Sequence, residues 1–345
     1  MNVDQFPDRI IEINQEHYLY FGGTAYLGLP TNKAFQDLVI KNILRWGTTY
    51  GSSRNANIKL TAYENGEAFL ARHIQAESAV TVSSGMLAGK LVIEQLYKTT
   101  DCFFHFSDLH TAIKTPNSLP VFLNNQINPR LLDAKAEKIS ILTDGVPSHQ
   151  TKAVDLSLLK EIPNHKEITL LIDESHSLGV LGKNGCGIYS YTDLPIERKI
   201  MVSSLGKAMG LSGGVIASDV SFINQIKNSD TFISAAGMNP AFVQTLADAS
   251  EIYRVQHQKL MENLHYLDTK LIKSEHIKFD KTYPLIYLED ENLIEILEAN
   301  KIIIANFKYQ KDTAPLNRIV ITANHLPEDL DKLINILNEN SQNRK

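Results

Sequence analysis

Apolar positions cluster along this chain in short runs rather than in long stripes. Six of them, "SAVTVSS" (78–84), "DCFFHF" (101–106), "KISILTD" (138–144), "ITLLID" (168–173), "KIMVSS" (199–204) and "GGVIAS" (213–218), are rich in β-branched residues, and most end in Ser or Asp. Runs this short predict strands buried on both faces. Helical stretches lie around and between them. "NKAFQDLVIKNILRW" (32–46) predicts a helix ending before Gly47, and "YENGEAFLARHIQA" (63–76) a second. Strands alternating with helices indicate an α/β fold with a mostly parallel sheet.

The pattern changes after about residue 240. "PAFVQTLADASEIYRVQHQKLMENLHYLDTKLI" (240–272) predicts one or two long amphipathic helices. Shorter pieces follow, "YPLIYLE", "KIIIANF" and "NRIVITA", and then a helix "PEDLDKLINILNE" opened by Pro327. The expected division is an N-terminal segment (1–45), a large domain (46–240) and a smaller α+β domain (241–345). The 345 residues suffice for a sizeable core. A net charge of -5 disfavours a nucleic-acid partner, since nothing would neutralise phosphates. No apolar run is long enough to span a membrane, and "MNVDQFPDRIIEINQEH" lacks the apolar core of a signal peptide. Cys102 and Cys186 make neither a metal-ligand spacing nor a disulfide framework, so no metal is expected and a reducing cytoplasm is the simplest setting.

In parallel α/β sheets, ligands collect at the carboxyl ends of the strands. Polar residues gather at those ends here: Ser83, Ser84, His110, Asp144, Ser148, Asp173, His176, Ser204 and Lys207. "VSSGMLAGKLVIEQL" places a Ser-Ser-Gly turn before a helix, whose unpaired N–H groups suit an anion such as phosphate. Taken alone, a plain Ser N-cap explains it as well. Asp173 ends an apolar strand, where a carboxylate needs a cation, several donors or a turn to cap. His110, in "FSDLHTAIK", reads alone as an ordinary loop histidine. Lys207 stands out. In "SSLGKAMGLSGG" it is bracketed by Gly206, Ala208, Gly210, Gly213 and Gly214, and a lysine kept from water can act as a nucleophilic amine. An amine, an anion seat, a carboxylate and a flat imidazole are the parts that pyridoxal 5'-phosphate asks for.

From "AYLGLPTN" to "NRIVITANHLPEDLDKL" the sequence resembles the α-oxoamine synthase family of pyridoxal-phosphate enzymes, of the 8-amino-7-oxononanoate synthase and 2-amino-3-ketobutyrate CoA ligase type. "DESHSLGVLGKNGCG" and "SSLGKAMGLSGG" are the most specific parts. The resemblance implies fold type I of the aminotransferase superfamily, with a seven-stranded sheet in the large domain. It makes Lys207 the Schiff-base lysine, Asp173 the partner of the pyridine nitrogen, His176 the neighbour of the ring hydroxyl and His110 the residue stacked on the ring. It puts Ser84, Gly85 and Met86 at the phosphate and Ser148 and Ser204 near the cofactor. Ser234, in "FISAAGMNP", stands one residue from a phosphate contact supplied by the second subunit of a homodimer with shared sites. The implied activity is an acyltransferase joining an amino acid to an acyl-CoA to give an α-amino ketone. An aminotransferase of the same fold and a cofactor-binding subunit of low activity are the alternatives.

The sequence departs from that pattern where the substrate carboxylate is held. Thr24 occupies the usual Asn position. The usual Arg, about a dozen residues before the last strand, is matched near Asn306 in "ANFKYQKDTAPLNRIVI". Lys308, Lys311 or Arg54 (in "GSSRNAN") are the expected substitutes.

Overall fold

The computed structural model describes residues 2–106, 109–191, 194–307 and 316–342. Its larger sheet has seven strands in the order Ser78–Val82, Gly214–Ser218, Arg198–Ser204, Lys166–Asp173, Glu137–Asp144, Cys102–His105 and Leu119–Pro120. All six apolar runs form strands of this sheet. Gly214–Ser218 runs antiparallel to both its neighbours, and the other neighbouring pairs are parallel.

Burial on both faces explains the continuous apolar runs. Leu171, Val202 and Ile216 pack into one layer with Leu91 and Val92 of helix Gly85–Leu96 and Phe222 of helix Val220–Lys227. Leu170, Ile172, Met201 and Val215 face the other layer, with Leu70 of helix Thr61–Ile74 and Val243 of helix Pro240–Asp248. The successive side chains of Leu170, Leu171 and Ile172 thus enter alternate layers, as the strand period requires.

The long amphipathic segment is two helices, Pro240–Asp248 and Ser250–Lys270, separated at Ala249. A second sheet of six strands joins both ends of the chain, in the order Ile10–Ile13, Glu16–Phe21, Ile302–Phe307, Leu316–Val320, Leu285–Leu288 and Ile277–Phe279. Its first two strands form a hairpin whose connecting residues, Asn14 and Gln15, both have positive φ (52° and 66°). That is the twist-matched two-residue turn. Among the described residues, no helix is long and apolar enough to cross a membrane.

Candidate active site

The strand ends carry the chemistry because the parallel strands stop together. Asp144 and Asp173 are register partners at the last residues of their strands. Beyond Ser204 the chain must turn back into its antiparallel neighbour, and it does so in a compact loop. Leu205 N donates to Gly213 O (2.9 Å), Leu211 N to Leu205 O (3.0 Å) and Gly210 N to Lys207 O (3.1 Å). The small residues serve this packing. Gly210 has φ of +73°, and a Cβ there would lie 2.7 Å from the Cβ of Leu29. At Gly85, which opens helix Gly85–Leu96, a Cβ would lie 2.8 Å from Cα of Ser204. Ser84 caps that helix, its Oγ accepting from Leu87 N at 3.1 Å.

A cavity of 780 Å³ opens between the two sheets. His110, Asp144, Ser148, Asp173, His176 and Lys207 reach it from the large sheet, and Tyr283, Tyr287 and Arg318 from the small one. A second cavity of 560 Å³ shares His110, His176, Lys207 and Arg318 with the first and adds Thr24 and Asn306. Lys207 therefore stands where the two meet. Its Nζ is 2.8 Å from Nε2 of His176. Burial brings the Lys207 amine down to about 8; Asp173 opposes that shift and Arg318 adds to it. Burial, Lys207, Arg318 and His110 hold His176 well below the usual histidine range, so its ring is neutral at pH 7. Nδ1 of His176 is 2.8 Å from the Tyr26 hydroxyl.

Asp173 is 7% exposed. Its Oδ1 accepts from Ser175 N at 2.9 Å, and its Oδ2 lies 3.8 Å from Nδ1 of the half-exposed His110. His110 N donates to Asp144 Oδ2 at 3.2 Å. Behind Asp173, Glu174 is wholly buried. It accepts from Ser177 Oγ and Ile188 N, both at 2.7 Å, yet burial pushes its carboxyl up to about 7.

Lys207, His176, Asp173, His110 and Ser148 thus line one cavity. Ser84, Gly85, Met86 and Ser204 do not line it; they meet at the start of helix Gly85–Leu96. Ser234 ends the short helix Asp230–Ser234 and lines neither cavity. Arg54 is fixed elsewhere. Its guanidinium donates to Glu67 Oε1 (2.8 Å) and Thr81 O (3.2 Å) and stacks on Tyr63. The expectation that Arg54 reaches the substrate is corrected accordingly. Lys308 and Lys311 lie outside the described residues. A second cation beside Lys207 that lines both cavities is Arg318, which the sequence reading missed. It is 5% exposed on Leu316–Val320, a strand whose five residues are all buried. Arg is almost never fully buried without a reason, and that was the available signal.

The family model for aminotransferase class I and II matches residues 39–337. The chain belongs to that family. Among its relatives, 8-amino-7-oxononanoate synthase of Lysinibacillus sphaericus is 25% identical over 94% of this chain and 89% of its own. The enzyme of the same name from Petrotoga mobilis is 26% identical over 93% of this chain and 88% of its own. Among solved structures, Sphingomonas wittichii serine palmitoyltransferase superposes with a TM-score of 0.79 at 18% identity, over 97% of this chain and 90% of that one. These matches make the chain a pyridoxal-phosphate enzyme of fold type I in the α-oxoamine synthase group. Its residues suit that cofactor. A buried amine, a carboxylate at a strand end, an imidazole beside it and a Ser-capped helix start cleared by glycine are the groups that an aldehyde, a ring nitrogen, a ring face and a phosphate require.

Proposed function

We propose that this enzyme condenses an amino acid with an acyl-CoA thioester, releasing CoA and carbon dioxide and leaving an α-amino ketone. The relatives named 8-amino-7-oxononanoate synthase and serine palmitoyltransferase support the reading. The observation that carries it is the meeting of two cavities at Lys207, each lined by Arg318, which leaves room for two substrates around one amine.

When bound, pyridoxal phosphate supplies an aldehyde for covalent capture of an amine and a ring that accepts electrons from the adjacent carbon. In this reading Lys207 holds the cofactor, then acts as the base that takes the amino acid's α-proton. An amine near 8 is well placed to accept and return a proton near neutrality. Asp173 would keep the ring nitrogen protonated, His176 would hydrogen bond the ring hydroxyl and His110 would cover the ring face. Ser84, Gly85 and Met86 would bind the phosphate at the helix start, with Ser204 and Ser148 beside the cofactor. Arg318 takes the amino acid's carboxylate, replacing the clamp that Thr24 and Asn306 lack; its planar fork suits a carboxylate as no lysine does. The working unit is a homodimer in the cytoplasm, Ser234 completing the neighbouring subunit's phosphate site. The free Cys102 and Cys186 suit that reducing setting.

The test titrates glycine, alanine and serine against the cofactor's absorbance, then adds acyl-CoA while following free thiol. A spectral response with thiol release is the expected outcome. A keto acid with an aminated cofactor and no thiol would make the enzyme an aminotransferase instead.

A further inference from the structure

The register of the small sheet shows which of its side chains share the face that looks onto the site. Arg318 pairs with Tyr287 on one side and with Ala305 on the other, and Tyr20 pairs with Ile303. Paired residues point to one face, and so do residues two apart on a strand. Tyr20, Ile303, Ala305, Arg318 and Tyr287 therefore stand on a single face. Tyr20 and Arg318 are two strands apart, about 10 Å across the sheet. The small Ala305 stands on the strand between them, and all three line the second cavity together with Lys207. Gly22 sets the course of the Tyr20 ring. A Cβ there would lie 2.6 Å from Cζ of Tyr20 and 2.7 Å from its hydroxyl oxygen, so the ring folds back over a residue without a side chain. Among the described residues that hydroxyl has no hydrogen-bond partner. Burial raises it, against the charge of Arg318, so it keeps its proton at neutral pH. A protonated hydroxyl and a guanidinium lining one cavity are two sets of donors for one anion.

We infer that Tyr20 is a substrate-binding residue, its hydroxyl donating to one carboxylate oxygen of the bound amino acid while Arg318 holds the carboxylate's charge. The inference rests on the reading that Arg318 takes that carboxylate. The two contacts differ in kind. Arg318 supplies charge, which any anion satisfies. Tyr20 supplies one directed proton on a rigid ring, which fixes where the second oxygen lies. An amine without a carboxylate gains neither contact, so the pair selects amino acids over simple amines at the cavity that Lys207 shares.

Matched ligands separate this contact from a general disturbance of the site: glycine against methylamine, alanine against ethylamine, serine against 2-aminoethanol. Each is titrated against the absorbance of the cofactor-loaded protein, with no acyl-CoA present, so the readout is binding and not turnover. Tyr20→Phe should weaken each amino acid by about 10-fold, as expected for one hydrogen bond to a charged group, and leave each amine unchanged. Gly22→Ala forces the ring from its place and should weaken the amino acids in the same way. Tyr20→Phe and Arg318→Gln combined should cost less than the product of their separate effects, because both act on one carboxylate. Unchanged amino-acid binding in Tyr20→Phe overturns the inference, and so does equal weakening of amino acid and amine. If Arg318→Gln weakens the amino acids and Tyr20→Phe does not, the inference falls and the reading of Arg318 stands. A wild type that binds amino acids no better than the matching amines overturns both.

Discussion

The same two parallel strands, Glu137–Asp144 and Lys166–Asp173, hold a buried lysine site near each end, and the two behave oppositely. At their starts the Lys166 side chain is shut off from solvent, and its amine donates to Glu137 Oε1 at 2.8 Å and to Asp133. Arg130 pairs with both carboxylates as well. Burial works to lower Lys166, but its two carboxylates outweigh it and the amine is raised. Hydrogen bonding from Lys166 brings Asp133 down to about 2. Glu137 reaches about 2 against its burial, through Arg130, Lys166 and Lys135. At the far ends Lys207 is similarly enclosed but meets a neutral imidazole instead of a carboxylate, and its amine falls to about 8. A matched set of charges holds a buried lysine protonated, and withholding the match brings its amine down toward neutrality. The fold places the first arrangement away from the cavity and the second inside it.

Exchanging the two lysines in turn separates the roles most strongly. Lys207→Met should abolish turnover while raising the stability of the cofactor-free protein at pH 7 by up to ~3 kcal/mol, because a lowered lysine strains the fold below its folded pKa. The wild type should recover that difference as pH rises from about 8 to the ordinary 10.5, where the amine discharges in both states. Lys166→Met should do the reverse. It strands Glu137 without its buried partner and should lose about 3 kcal/mol in a denaturant titration, with kcat per folded molecule unchanged.

Arg318→Gln comes next in size. Loss of a charge-assisted clamp should raise KM for the amino acid by about 10- to 100-fold. Removing a cation that depresses Lys207 should also move the amine upward. An unchanged KM would return the carboxylate to some other donor.

Much of the site was legible because its parts are local. Asp173, His176 and Lys207 sit within a few residues of a strand end, so their order along the chain already groups them. Arg318 was not legible that way. It is the register partner of Tyr287 on one side and Ala305 on the other, and only this pairing brings it to the cavity. The expected Arg was sought a dozen residues too early, near Asn306, although a charge inside "LNRIV" was visible. The hairpin Ile10–Ile13 and Glu16–Phe21 escaped for a similar reason. Its exposed positions mix Ile10 with Glu12, Glu16 and His17, and its partner strand Ile302–Phe307 lies at the other end of the chain, where no short-range pattern reports it. Tyr26 stood in the quoted "AYLGL", but its hydroxyl acquires meaning only against His176, 150 residues away.

The last effect concerns the two classes of carboxyl and touches stability alone. Asp133 and Glu137, lowered to about 2, contribute stability above their ordinary pKa values that is lost as pH falls from about 4 toward 2. Glu174, raised to about 7, acts in the other direction. The folded state holds its proton more tightly between 4.5 and 7, so stability declines as pH rises through that window. Glu174→Gln should flatten that decline, a gain of up to ~3 kcal/mol at pH 8 relative to pH 4.5, while leaving the acid limb untouched.

The contrast between the two lysines is tested most directly by reducing the cofactor-loaded protein with borohydride at neutral pH and mapping the modified peptide. The account predicts a single cofactor adduct on Lys207, within "SSLGKAMG", and none on Lys166. An adduct on another lysine, or a loaded protein that yields none, would contradict it.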